Sequence, residues 1–288
     1  MKDRIEIAKT LKAEFPSRML CRLLNVAPST FYYSSPPKRD LTNLRITIET
    51  LLVSFPFYGA RKMYDQVKRD RVFCTRQEVF WIYNKLGLLR KRPPPKVKTT
   101  DSRHEHPVYP NRILELEVVR PNQVWVADTT YLRVGGKLAF LALVEDRFTR
   151  RILGWEISFA NNAELTAAAL LKALAYGRPE IHHSDQGSTY AAARYVTLLS
   201  GCVISMAAAG RPKENPHAER LNRTVKDEEI YRSDYQNIAQ ARKGIAAYVK
   251  LYNELRMHSS LKKKTPNEFL RDFLKDKNSD GNLPSQDL

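Results

Sequence analysis

The run VWVADTTYLRVGGKLAFLALV, residues 124–144, limits the fold more than any other stretch of the chain. Residues 124–132 are rich in β-branched and aromatic side chains, Val134-Gly135-Gly136-Lys137 has the composition of a tight turn, and residues 138–144 return as a second strand. Asp128 stands in the middle of the first strand. A carboxylate there is costly unless a hydrogen-bond network or a cation compensates it. Taken alone, such an aspartate is structural more often than catalytic.

The pattern after this hairpin predicts a third strand at 151–159, a helix at 163–176, a strand at 180–184, a helix at 190–199 and a strand at 203–206. Three strands joined by short turns, followed by alternating helix and strand, imply an α/β fold. The expected core is a mixed five-stranded sheet with helices packed on it, in ribonuclease-H-like strand order. Asp185 leaves the fourth strand in IHHSDQG, next to Gly187. A last helix starts at Asn215 as cap and Pro216 in the first turn, and runs to about Glu229. On it Ala218, Leu221 and Val225 form a core stripe, while Glu219, Asn222, Arg223 and Lys226 fall on another face. Were Asp128, Asp185 and Glu219 brought together, their repulsion would call for hard, oxygen-seeking cations.

The amino-terminal part is helical and basic. Residues 18–24, a turn at 25–27 and residues 28–33 fit either a helix-turn-helix or a plain helical hairpin, with a Pro-containing linker to residue 39. Further helices are expected at 41–53, 60–69 and 75–86, with Thr75 as cap and Gly87 as stop. Arg61, Lys62 and Arg76 are the candidate phosphate contacts here, joined by Arg90, Lys91 and Arg92, which lead into a triple proline. The units read as 1–39, 40–92, a basic Pro-rich linker 93–121, a core 122–272 with C-terminal helices, and a polar tail 273–288.

A net charge of +17 points to a polyanionic partner, nucleic acid first. No apolar run is long enough for a spanning helix, so membrane is set aside, and the start of the chain lacks a signal-peptide core. Cys21, Cys74 and Cys202 are widely spaced and unaccompanied by zinc-finger histidines, which suggests a reducing compartment without structural zinc.

VWVADTTYL, HHSDQGSTY, GRPKENPHAERLNRTVKDEE and YNELRMHSSLKKKTPNEF occur in this order, after FPFYGARKMYDQVKRDRVFCTRQEVFWIYNKLGLLRK. In that ordered combination the chain resembles the second-frame (OrfB-type) transposases of bacterial insertion sequences, which share a catalytic core with retroviral integrases. The resemblance implies a metal-dependent enzyme that cuts a transposon end and transfers the strand. Asp128, Asp185 and Glu219 take the catalytic positions, ligating Mg²⁺ or Mn²⁺ as two ions per site. Between the second and third carboxylates lie 33 residues, slightly fewer than is usual in the family. Glu214, Glu228 and Glu229 are rivals for the third ligand. Asn215, Arg223 and Lys226 are candidates for orienting the site or holding DNA phosphate, and the region upstream of the core is expected to be helix-turn-helix-like. His182, His183 and His217 divide between site and structural readings, and Asp146 is expected to pair with an arginine. Asn253, Arg256 and His258 match a family signature whose role, core support or DNA contact, is open. Expected partners are transposon-end and target DNA, further copies of the chain on DNA, and a first-frame (OrfA-type) partner or fusion. A bacterial cytoplasmic, nucleoid-associated location follows. The alternative is a DNA-binding or regulatory subunit, inactive without its first-frame partner.

Overall fold

The structure, a computed structural model, describes residues 2–33, 39–89, 108–208 and 214–279. It begins with helices α1 (Lys2–Thr10), α2 (Ser17–Leu23) and α3 (Pro28–Phe31). Ala8, Leu20, Cys21, Val26 and Phe31 close a small core among them. The sequence reading places no helix before residue 18. The alternation of charged and apolar residues there conceals α1, which turns the expected helix pair into a three-helix unit.

The second helical unit comprises α4 (Thr42–Ser54), α5 (Ala60–Arg69) and α6 (Arg76–Lys85). The Thr75 hydroxyl accepts from the Glu78 amide at 3.2 Å while the Glu78 carboxylate accepts from the Thr75 amide at 2.7 Å. This reciprocal cap fixes the start of α6. Between α4 and α5, Phe55 and Tyr58 stack with centroids 4.6 Å apart.

The sheet consists of β1 (Val124–Val134), β2 (Lys137–Asp146), β3 (Ile152–Ser158), β4 (Ile181–Ser184) and β5 (Val203–Met206), in the order β3-β2-β1-β4-β5. The first three strands are antiparallel; β4 and β5 run parallel to β1. This is the ribonuclease-H-like arrangement the sequence implied. Gly135 and Gly136, at φ +54° and +76°, make the two-residue hairpin turn that suits the strands' right-handed twist.

Helices cover both faces. Trp125, Ala127, Ala142 and Val144 pack toward α7 (Ala163–Leu174), α8 (Ser188–Ala191) and α9 (Ala193–Leu198). Val134, Leu141 and Leu143 pack toward α10 (Pro216–Glu228) and α11 (Ile238–Glu254). A Cβ on Gly154 of β3 would fall 2.0 Å from the Ala169 carbonyl oxygen, so α7 lies this close only because residue 154 has no side chain.

Two expectations change. The tail expected from residue 273 starts inside α12 (Pro266–Ser279), because the rings of Phe269 and Phe273 pack on Phe148 at 5.3 and 5.0 Å. The expected linker is, in residues 108–121, part of the folded body: Ile113 is buried with Val124, Val126 and Ala218. Its other residues, and those of the tail beyond 279, lie outside the described ones.

The second helical unit shares one apolar core with the sheet and α11. Phe57 meets Tyr248 edge-on at 6.3 Å, and the Tyr58 hydroxyl oxygen accepts from the Met257 amide at 3.1 Å.

Candidate active site

Strand alternation puts Asp128 on the same face of β1 as Val124 and Val126, under α10. The parallel register pairs Val126 with His183; continued by two residues, it brings Asp185 alongside Asp128. Helix α10 then lies across β1. Near its start, Asn215 Nδ2 donates to the Ala127 carbonyl at 3.3 Å, and two turns on, Asn222 Nδ2 donates to Asp128 Oδ2 at 2.8 Å. Glu219 lies between them on the same helical strip, which turns it toward the two aspartates.

Each aspartate is oriented by a local amide. Asp128 Oδ1 accepts from the Thr129 amide at 2.8 Å, and Asp185 Oδ1 from the Gly187 amide at 3.0 Å. A Cβ on Gly187 would press on that oxygen at 3.0 Å. Burial, and then the charge of Asp185 with a further contribution from Glu219, pushes the Asp128 carboxyl up to about 7. Glu219 is itself raised by burial, with Arg223 acting the other way. Three mutually repelling carboxylates, with no thiolate or imidazole among them, form a donor set suited to Mg²⁺ or Mn²⁺. Among the described residues, no three His, Cys, Asp or Glu side chains are gathered closely enough to enclose an ion as they stand. In this arrangement Asp128 is held by Asn222 instead.

The rival carboxylates are engaged elsewhere. Glu228 receives Arg256 through two bonds of 2.6 and 2.7 Å and the Tyr248 hydroxyl at 3.0 Å. Glu229 accepts from Tyr235 and Ser233, and Glu214 from Asn111 and the Ala208 amide. Asp146 does not take the expected arginine. It is buried, and accepts from the Thr149 hydroxyl at 2.6 Å and from the amides of residues 148 and 149, closing the turn after β2.

His182 and His183 are core residues, bonded to the Tyr195 hydroxyl at 3.0 Å and the Ser205 hydroxyl at 2.9 Å. Burial lowers them to about 3 and about 4, so both are neutral. His217 Nδ1 accepts from Arg150.

The carboxyl-terminal signature supports the core. Asn253 accepts from the Ile152 amide at 3.0 Å and donates to the Ile152 carbonyl at 2.9 Å, fixing the start of β3. Arg256 is buried against Glu228, and His258 accepts from Arg256 at 3.0 Å.

Of the candidate DNA contacts, Arg223 is exposed on α10 beside Glu219, and Lys226 Nζ lies 3.8 Å from the Tyr131 ring centroid. Arg61 and Arg76 are exposed on the helical unit, Arg76 over the Tyr64 ring. Lys62 is 3.7 Å from Glu228. Arg90, Lys91 and Arg92 lie outside the described residues.

Two sequence readings of α10 are corrected. Asn215 makes no side-chain cap, because its amide is turned onto β1. Asn222 is buried rather than exposed, because its strip faces Asp128. Asn222 stands three residues after Glu219 on the same helical strip, but only the fold shows that this strip faces β1.

The Integrase core domain family matches residues 118–212 and again residues 200–266. The transposase for insertion sequence element IS629 of Shigella sonnei is 30% identical over 276 residues, covering 90% of this chain and 92% of its own. The chain belongs to the insertion-sequence transposases. Another member, the transposase for insertion sequence element IS904 of Lactococcus lactis, is 31% identical over 219 residues, 74% of this transposase and 87% of its own length. Among solved structures, the simian T-cell lymphotropic virus intasome in complex with PP2A regulatory subunit B56 gamma is similar at 18% identity and a TM-score of 0.48. It covers 77% of this transposase and 74% of that chain.

Proposed function

We propose that this transposase cleaves the 3′ end of its element and transfers it to target DNA, with Asp128, Asp185 and Glu219 as the catalytic carboxylates. The observation that carries this reading is the convergence of the three acids: the β1–β4 register brings Asp185 alongside Asp128, and Asn222, one turn from Glu219 on α10, donates to Asp128 Oδ2 at 2.8 Å. In cleavage, a water oxygen forms a bond to phosphorus, the bond from phosphorus to the 3′ oxygen breaks, and that oxygen leaves as a hydroxyl with the proton the water gave up. In transfer, this 3′-hydroxyl oxygen attacks a target phosphodiester, and the displaced target 3′ oxygen takes the proton. No protein atom is bonded to phosphorus.

The three carboxylates would hold Mg²⁺ or Mn²⁺, which when bound, as two ions, stabilise the attacking and leaving oxygens. Asn222 and the Thr129 amide fix the Asp128 carboxyl, and the Gly187 amide fixes Asp185. Arg223, exposed beside Glu219, and Lys226 would take DNA phosphates beside the carboxylates. Arg61, Lys62 and Arg76, with Arg90, Lys91 and Arg92, would bind duplex through the helical unit. On this reading residues 40–92 act as a DNA-binding unit, 122–272 as the catalytic core, and several copies assemble on DNA, with or without a first-frame partner.

The test is joining of a labelled transposon-end duplex with Mg²⁺ or Mn²⁺ against a chelator, for the wild type and Glu219→Gln in parallel. Metal-dependent joining is expected in the wild type and absent from Glu219→Gln, Asp128→Asn and Asp185→Asn, all of which keep DNA binding. Joining by any one of the three variants removes that residue from the site. Binding without joining by the wild type would favour a subunit that needs its first-frame partner.

A further inference from the structure

A cleft of about 510 Å³ between α5 and α12 pairs three of its four cations, Arg69 with Glu268, Lys263 with Asp65 and Lys264 with Asp272, and the fourth, Lys68, lies over the Tyr64 ring. A smaller one of about 170 Å³ gathers four cations around a single lining carboxyl, Glu145. It lies where α5, α10, the turn after β2 and the turn after α11 meet, and receives Lys62, Arg150, Arg220, Arg256, Ser259 and Ser260. From α10 it is lined by His217, Arg220, Leu221 and Thr224, which helical spacing puts on the side turned away from Glu219, Asn222 and Lys226. We propose that this pocket binds a phosphate group, supplied by a DNA strand that crosses α10 on its way to the carboxylates. The source, though not the pocket's phosphate chemistry, rests on the reading of DNA as substrate.

Positive charge exceeds negative in this lining, where Lys62, Arg150, Arg220 and Arg256 meet Glu145 as the one carboxyl. Arg256 is taken by Glu228, and Lys62 stands 3.7 Å from the same carboxylate. Arg150 and Arg220 have no carboxylate within ion-pair distance among the described residues. Two guanidinium groups held near one concave surface repel each other, and a phosphate that accepts from both relieves the repulsion.

The remaining lining supplies donors. Arg150 donates to His217 Nδ1, which leaves that ring's proton on Nε2. Burial and the neighbouring arginines lower His217 to about 3, so the ring is neutral. Ser259 and Ser260 present hydroxyls at the rim. At the floor, Glu145 is 2% exposed and its Oε2 has no hydrogen-bond partner. Burial raises this carboxyl to about 7 against the pull of Arg150, so its negative charge is partly withdrawn near neutral pH.

The position suits a strand that reaches both faces of α10. A helix with its side chains is about 10–12 Å across, and exposed Arg220 and Arg223 mark the ridge between the pocket and Glu219. A phosphate in the pocket would also touch the helical unit through Lys62 and the sheet through Arg150.

The experiment measures binding of a labelled DNA duplex across a salt series in chelator, where no joining occurs, for the wild type, Arg220→Gln, Ser260→Ala and the control Lys243→Gln on the exposed side of α11. In Arg220→Gln the slope of log affinity against log salt should lessen by about 0.9, the contribution of one phosphate contact, and Lys243→Gln should leave it unchanged. Ser260→Ala, which keeps the charge, should weaken binding without changing the slope. A parallel arm follows thermal unfolding with inorganic phosphate, which should raise the wild-type midpoint more than that of Arg220→Gln. If phosphate acts through Arg220 while the DNA slopes do not differ, a free phosphate is the ligand and the DNA assignment is overturned. Equal behaviour of Arg220→Gln and Lys243→Gln in both arms overturns the pocket. Because binding is read without catalysis, absence of joining would count against the proposed function and leave this result standing.

Discussion

Asn222 makes a testable link between α10 and Asp128, the carboxylate proposed as catalytic. Its amide donates to Asp128 Oδ2 at 2.8 Å while Asp185 and Glu219 work against the charge on that oxygen. Asn222→Ala should lower single-turnover cleavage by about 10–100-fold and raise the metal concentration needed, with DNA affinity unchanged. An unaltered metal dependence would show that the bond only packs the helix. Asp128 and Asp185 were readable in the sequence because an acid in or at the end of an apolar strand is anomalous. Asn222 was not, because an amide on a polar helical strip is ordinary until the strip is found to face a strand.

At the scale of elements, α10 is secured from the carboxyl-terminal side. Arg256, which follows α11, is buried and bonded twice to Glu228 at the end of α10. Arg256→Ala leaves that carboxylate half-paired in a closed environment and should cost about 3–5 kcal/mol in urea unfolding. A loss below about 1 kcal/mol would mean that the pair is solvated and gives little, as exposed pairs do. The elements themselves were largely legible: Thr75, Gly87 and the Gly135-Gly136 turn mark real boundaries. The role of YNELRMHSS was not, because its partners Ile152 and Glu228 lie 101 and 28 residues away in sequence. Helix α1 escaped because its inward stripe is only Ile5 and Ala8, too narrow to stand out from its charges.

For the whole molecule, buried histidines set the response to acid. His182 and His183 are held at about 3 and about 4, below the ordinary 6.5, so between those values the unfolded chain binds protons the native one does not. Their contribution to stability is therefore complete above about pH 6.5 and is lost as pH falls toward the folded values, at about 1.4 kcal/mol per pH unit for each ring. Glu145 and Asp128 have the opposite sign: both raised to about 7, they favour the folded state at lower pH and lose that contribution as pH rises through 7. His217 and His258, lowered to about 3 and about 2, add to the histidine side and leave it the larger. The urea midpoint should fall between pH 6.5 and 4.5, and His182→Phe should flatten that fall. A midpoint independent of pH over this range would contradict neutral burial.

The apolar core that joins α4, α5 and α6 to the sheet runs through Tyr248, Tyr252 and Met257, residues of the carboxyl-terminal part of the chain. Two segments far apart in sequence are thereby a single heritable unit. Exchanging the helical unit between relatives by splicing at the prolines would leave Phe57 and Tyr58 facing a foreign surface. A workable chimera must bring the donor's α11 along with its amino-terminal helices, and natural recombinants of such elements should show the same two-ended ancestry.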